Sequence, residues 1–286
     1  VDVDIDRYTI GDAYREVMIS AREMNLENLP EQSQTFINRR FKYTHGHGLT
    51  LTNVSEFTPE GLPKLLVKDI PPKSTHPDLE VTQPRIYYGE LTRTHVIVNS
   101  DEAEFDYPQG DENVYTRYKG KGGVQISNIW RKFLYGYKFD GTRLFLSGYP
   151  NPESRIMFHR QIQERVRELA PFLQFDNDPY IVLARGRLYW IVDAYTTSEY
   201  YPYSEPFTAG RVTGGKRAQN FLWRGANMHG VNYVRNSVKA VVDAYEGTVD
   251  FYIYDPDDPL ILVWSAIFPG LFKDREDMPE YLRKHV

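Results

Sequence analysis

Three groups of residues have types and spacing suited to chemistry. The first is His45 and His47 in "RRFKYTHGHGLTLTNV", two positions apart between glycines, as a pair of metal ligands would be. Such a pair needs at least one more ligand from elsewhere. Spacing does not select one among His76, His95 and Asp69. The competing reading is structural. A helix that ends at Thr44 or His45 takes Gly46 as its left-handed C′ residue without Cβ strain, and a histidine in the last turn suits the negative helix end. This reading accounts for every residue but His47. It predicts positive φ at Gly46 or Gly48 and two imidazoles that share no metal.

The second group is a pair of carboxylates. "VDAY" occurs twice, ending at Tyr195 and Tyr245, and places Asp193 and Asp243 at equivalent points of two strand-like runs. Acids on neighbouring strands suit general acid/base work, whereas turn and strand-end aspartates also bond to backbone or arginine. We expect the latter. The third group comprises hard oxygen ligands in "DNDP" (Asp176, Asp178) and "DPDDP" (Asp255, Asp257, Asp258), candidates for structural calcium that match no EF-hand loop. Tyr195, Tyr200, Tyr201 and Tyr203, with Arg224 in the Gly- and Arg-rich loop at 206–233, are the ligand-binding candidates, because aromatic faces offer contact area with a polar tip.

The elements that must position these groups are mostly strands. "VDVDIDRY" and "AYREVMISAR" alternate about the turn "IGD", which predicts an N-terminal hairpin. Hairpins are also predicted about Arg185-Gly186 and Glu246-Gly247. Asn151 as N-cap, Pro152 at N1 and the spacing of Phe158, Ile162, Val166, Leu169 and Leu173 predict one helix over Pro152–Leu169 covering the sheet. Its arginines, Arg155, Arg160, Arg165 and Arg167, alternate with Gln and Glu and predict a solvated face. A helix from Ser127 carries Ile129, Phe133 and Leu134 on one side, and a short buried helix follows the Asp255–Asp258 turn. No βαβ alternation is visible. The expected class is α+β: mainly antiparallel sheet built from hairpins, with several packing helices, in one globular domain over residues 1–286.

Composition narrows the function. The 286 residues carry a net charge of −5, with Lys and Arg scattered rather than clustered, which argues against nucleic acid. Cysteine is absent, which removes thiol nucleophiles, zinc–cysteine sites and disulfides. No run of about 18 apolar residues spans a membrane. The opening "VDVDIDRYTI" and closing "YLRKHV" read as a piece of a larger protein.

Long phrases such as "EFDYPQGDENVYT", "PESRIMFHRQIQERVRELAPFL", "DPYIVLARGRLYWIVDAYTTS" and "NYVRNSVKAVVDAYEGTVDFYI" resemble uncharacterised protein family 0182 over nearly the whole chain. The resemblance implies a large bacterial membrane protein with N-terminal transmembrane helices and a large soluble region outside the membrane, of which this chain is the greater part. It implies no activity and no catalytic residue. The expected function is therefore a non-catalytic extracytoplasmic binding, sensing or scaffold domain without a cofactor, anchored through segments absent from this chain, with an envelope saccharide or protein as partner. The alternative is a carboxylate- or metal-dependent hydrolase of an envelope polymer.

Overall fold

The computed structural model describes residues 2–207 and 228–286. Strands β1 (Asp4–Ile10), β2 (Ala13–Ala21), β3 (Gly46–His47), β4 (Leu49–Phe57), β5 (Pro63–Lys68) and β6 (Lys73–Ser74) make up the first part of the chain. All but β3 form one sheet in the order β1-β2-β4-β5-β6, while β3 pairs with β7 (Arg85–Ile86). The alternation read at the N-terminus sets the register Asp4↔Ile19 to Ile10↔Ala13, with Tyr8, Ile10, Val17 and Ile19 turned inward.

The middle holds β8 (Val96–Val98), the hairpin β9 (Glu104–Gln109) and β10 (Glu112–Thr116), β11 (Val124–Gln125), helices α1 (Ile129–Tyr135) and α2 (Thr142–Leu146), β12 (Arg155–Met157) and α3 (Ile162–Leu169). The main sheet then uses β13 (Gln174–Phe175), β14 (Tyr180–Ala184), β15 (Arg187–Ser198), β16 (Tyr233–Asp243) and β17 (Val249–Ile253), with α4 (Pro259–Ile267), β18 (Phe272–Asp274) and α5 (Glu280–Arg283) closing the chain. The fold is α+β, and among the described residues its strand pairs are antiparallel with one exception.

The hairpin turns predicted at Arg185-Gly186 and Glu246-Gly247 are present as well. Arg185 and Gly186 have φ of +49° and +75°, the mirror-image turn that suits the twist of a two-residue hairpin, and β14 and β15 pair from Ala184↔Arg187 outward. The exception is β17–β18, which run parallel and are joined through α4, a βαβ crossover that the sequence reading did not contain. Asp258 starts it. Its side chain accepts from Leu260 N (3.0 Å) with Pro259 at the first helical position, and Ile261 is buried while Trp264 stacks on Phe172 at 4.2 Å.

The single helix expected over Pro152–Leu169 is divided. Asn151 caps a tight turn, accepting from Glu153 N at 2.9 Å, and Arg155–Met157 leaves it as a strand between β8 and β11. Ile156 and Met157 are fully buried, so ladder hydrogen bonds on two sides replace the helical ones. His159 adopts φ +47°, and the helix starts only at Ile162. Ile162 and Val166 do face the main sheet, but Leu169 points outward. The solvated arginine face holds at Arg167, which is exposed, and is corrected at the other three: Arg155 donates to the carbonyls of Lys121, Gly122 and Gly123, Arg165 to Gly247 O, and Arg160 is buried.

The N-terminal sheet and the main sheet meet along β14. Ile181 N donates to Asp4 Oδ2 (3.0 Å), Leu183 N to Tyr8 Oη (2.8 Å), and His285 Nδ1 lies 2.7 Å from Asp6 Oδ2. Side chains of β1 thus occupy amides of a strand edge that would otherwise be open. One continuous apolar cluster runs from Tyr8 to Ile261.

Asp258 is the most heavily used acid of the main sheet. Besides Leu260 N it accepts from Tyr233 Oη (2.6 Å), Ser237 Oγ (2.5 Å) and the Thr196 hydroxyl, and it is fully buried. Burial pushes its carboxyl up, but Ser237, Thr196 and Tyr233 more than offset this and hold it below its ordinary value. Its contribution to stability is therefore complete above the ordinary carboxylate range and is lost as pH falls through its lowered folded value. Asp258→Ala strands three hydroxyls and uncaps α4, and should cost about 3 kcal/mol in urea denaturation at pH 7.

Candidate functional site

His45 and His47 do not end a helix. The preceding turn, Asn38–Lys42, is a wide one closed by Tyr43 N to Asn38 O (2.9 Å), and Gly46 already lies in β3 opposite Ile86. Backbone crowding explains the two glycines. A Cβ at Gly46 would sit 2.4 Å from Arg22 O, and Gly48 takes φ +76° to turn into β4, so the positive φ falls at Gly48 alone. The segment is held on both sides, by His47 N to Arg22 O (2.9 Å) and Gly48 N to Pro84 O (2.6 Å).

Alternation along β3 and its approach turns both imidazoles inward, and alternation along β9 turns Glu104 and Asp106 to meet them. Asp106 Oδ1 lies 2.9 Å from His47 Nδ1 and 3.2 Å from His45 Nε2. It also accepts from Arg85 Nε (3.0 Å), while Oδ2 accepts from Arg85 Nη2 (2.6 Å), a two-pronged ion pair. Burial pushes the Asp106 carboxyl up. The neighbouring His45, His47 and Arg85 more than reverse this and hold it far below the ordinary carboxylate range.

Glu104 is fully buried and fully used. Oε2 accepts from the Thr44 and Tyr87 hydroxyls, each at 2.7 Å, and Oε1 from Tyr118 N (2.9 Å) and Asn99 N (3.1 Å). Burial raises it, and the neighbouring His45, Thr44 and Asn99 N more than compensate, so it too is held low. The Thr44 hydroxyl in turn lies 2.8 Å from His45 Nδ1, and His45 packs on the Tyr87 ring at 4.6 Å. Beneath the cluster Arg160 donates to the carbonyls of Tyr87 (2.7 Å), Thr94 (3.0 Å) and Thr44, and burial brings its guanidinium down to about 10. His47 Nε2 is buried with no partner.

The other sequence candidates are distributed differently. Asp243 accepts from Arg187 Nη2 (2.7 Å) and from the amides of Tyr245 (2.8 Å) and Glu246 (2.9 Å). Asp193, across from Lys239 in the register, takes Lys239 Nζ (2.6 Å) and Asn236 Nδ2 (2.7 Å). Tyr195 is half-buried and donates to Asp176 Oδ2 (3.4 Å). Tyr200 and Tyr203 are almost wholly exposed, and Tyr201 stacks on Tyr233 at 5.1 Å. Arg224 and most of the 206–233 loop lie outside the described residues. Among the calcium candidates, Asp255 pairs with Arg235 and Asp257 N donates to Asp255 Oδ1 at 3.3 Å, while Asp258 is spent on its four donors. Asp178 falls into a different group, with Asp2 and Asp4, where the three carboxylates approach within 4.8 Å.

Asp2 and Asp4 of that group line an acidic cleft together with Glu23 and Glu90. Glu23 receives Glu90 N and Leu91 N, each at 3.0 Å, yet burial still raises its carboxyl. Burial, then the charges of Asp2 and Glu23, push Glu90 up to about 8, and burial pushes Asp4 up to about 6 against the Ile181 amide. The folded chain therefore keeps protons that the unfolded chain has already lost, and stability contributed by these groups declines as pH rises from about 5 to about 8. Glu90→Gln should flatten this decline, with a gain in Tm that is larger at pH 8 than at pH 5. An equal shift at both pH values would place the effect elsewhere.

Comparison with known proteins covers the whole chain. A family model described as uncharacterised protein family (UPF0182) matches residues 1–286. A UPF0182 protein of Pelotomaculum thermopropionicum is 49% identical over 285 residues, which is 100% of this chain and 29% of that protein. Those of Trichodesmium erythraeum (47% over 284 residues, 99% of this chain, 31% of that protein) and Moorella thermoacetica (47% over 287 residues, 100% and 29%) are similar. The chain thus spans about 30% of the length of the curated relatives it matches. No solved structure matches it.

Proposed function

The chain belongs to the uncharacterised protein family UPF0182, and from its surfaces we propose that it is a non-catalytic, extracytoplasmic binding and scaffold domain of a larger membrane protein. The carrying observation is apolar surface on two helices. On α1, Ile129 and Leu134 are exposed and Trp130 is 73% exposed, although the sequence pattern reads as a packing face. On α4, expected to be buried, Leu262, Val263 and Ile267 are each more than half exposed. Large apolar side chains gathered on an exposed helix mark interaction surface.

The occupant we assign to the α1 face is protein from the remaining two thirds or so of the same polypeptide, since the relatives are about three times as long as this chain. No helix among the described residues is long and apolar enough to cross a membrane, so in this reading the anchor is supplied by that remainder. Tyr200 and Tyr203 offer a second surface, suited to an envelope saccharide or protein.

The hydrolase reading has less support. Its acids Asp193 and Asp243 are each held by a cation and further hydrogen bonds, and the His45–His47–Asp106 cluster is too deeply buried for a polymer to reach.

A photo-crosslinking residue placed at Trp130 in the full-length protein in its membrane should give intramolecular adducts to segments outside these 286 residues. Adducts to lipid alone, or to none of the polypeptide, would overturn the assignment.

A further inference from the structure

Contrary to the expectation from sequence, we infer that His45, His47 and Asp106 form a binding site for a divalent transition-metal ion of the zinc class. The third ligand that spacing could not supply comes from β9. One donor atom from each side chain lies within 4.8 Å of the other two. The Asp106 Oδ1 separations of 2.9 Å to His47 Nδ1 and 3.2 Å to His45 Nε2 approach the value of about 3.3 Å between neighbouring ligands of a tetrahedral ion at about 2.0–2.1 Å.

Proton placement carries the inference further. Glu104 takes the Asn99 and Tyr118 amides on Oε1 and the Tyr87 hydroxyl on Oε2, and the Thr44 hydroxyl 2.7 Å away donates to it as well. That hydroxyl then accepts from His45 Nδ1, 2.8 Å away, which fixes the proton of a neutral His45 on Nδ1. Its Nε2 lone pair consequently faces Asp106 Oδ1 at 3.2 Å, two acceptors with no hydrogen between them. A cation at that point satisfies both. The Thr44–Glu104 relay is the outer arrangement that commonly orients a metal-bound imidazole.

His47 is poised in a different way. Asp106 Oδ1, 2.9 Å from Nδ1, holds the hydrogen there in the ion-free chain, and the buried Nε2, which nothing bonds, is free to carry it instead when an ion arrives at Nδ1. Arg85 is the competing cation. Its Nη2 bond to Oδ2 is compatible with a bound ion and orients the carboxylate, whereas its Nε contact to Oδ1 must lengthen. Two imidazoles and one carboxylate suit zinc, cobalt or nickel, and leave a further position for water.

The test is cobalt loading of the chelator-treated full-length protein, read by visible absorption and metal content. Wild type should bind one more equivalent of Co²⁺ than either His47→Ala or Asp106→Asn, with a d–d band absent from both variants, while His76→Ala binds as wild type does. Cobalt-edge X-ray absorption on wild type needs no variant and should register imidazole and carboxylate ligands. Equal cobalt content in wild type and His47→Ala, or wild-type cobalt without imidazole scattering, would overturn the site and leave an imidazolium–carboxylate network in its place.

Discussion

Two carboxylates buried under β3 constrain everything around them. Glu104 and Asp106 are removed from water, and a charge in that position is tolerated only when donors surround it. The donors come from Thr44 and His47, from Arg85 and Tyr87, and from the amides of Asn99 and Tyr118. These lie on four separate stretches of chain, each obliged to arrive at the same place. Gly46 is part of that obligation, because the strand bearing the imidazoles must pass within van der Waals contact of the Arg22–Glu23 backbone. Arg160, reaching three carbonyls from the far side, fixes the loops that present the donors.

The regular part of this architecture was legible from sequence. Period-two alternation gave the N-terminal hairpin, and Arg185-Gly186 marked a turn whose geometry two positive φ angles then realise. The divided helix failed for a physical reason. The run from Asn151 to Leu173 has helical spacing, but Ile156 and Met157 gain more as a middle strand between β8 and β11 than as one face of a helix, which no local pattern reveals. The βαβ crossover escaped notice because β18 is three residues long and only one of its residues is apolar.

The candidate site was half legible. The histidine pair stood out at once, yet its partners did not, since "EFDYPQGDEN" reads as an acidic approach to a hairpin. Acids at alternate positions of a strand normally mark the solvent face. Here Glu104 and Asp106 mark the inward one, and only the tertiary placement of β9 against β3 inverts the pattern. The same inversion applies to Arg160, which lies among charged residues in sequence and under the cluster in space.

The seam along β14 has a further consequence, for the way the molecule comes apart. Asp4, Asp6 and Tyr8 of the first strand hold β14 and His285, residues more than 170 positions later. Such contacts close very long loops, and their entropic cost is recovered only when both sheets are in place. Neither sheet can therefore peel away as a small independent unit. Amide hydrogens of β2 and of β15 should exchange with a common opening free energy, as members of one cooperative block, although they belong to different sheets and are separated by most of the chain.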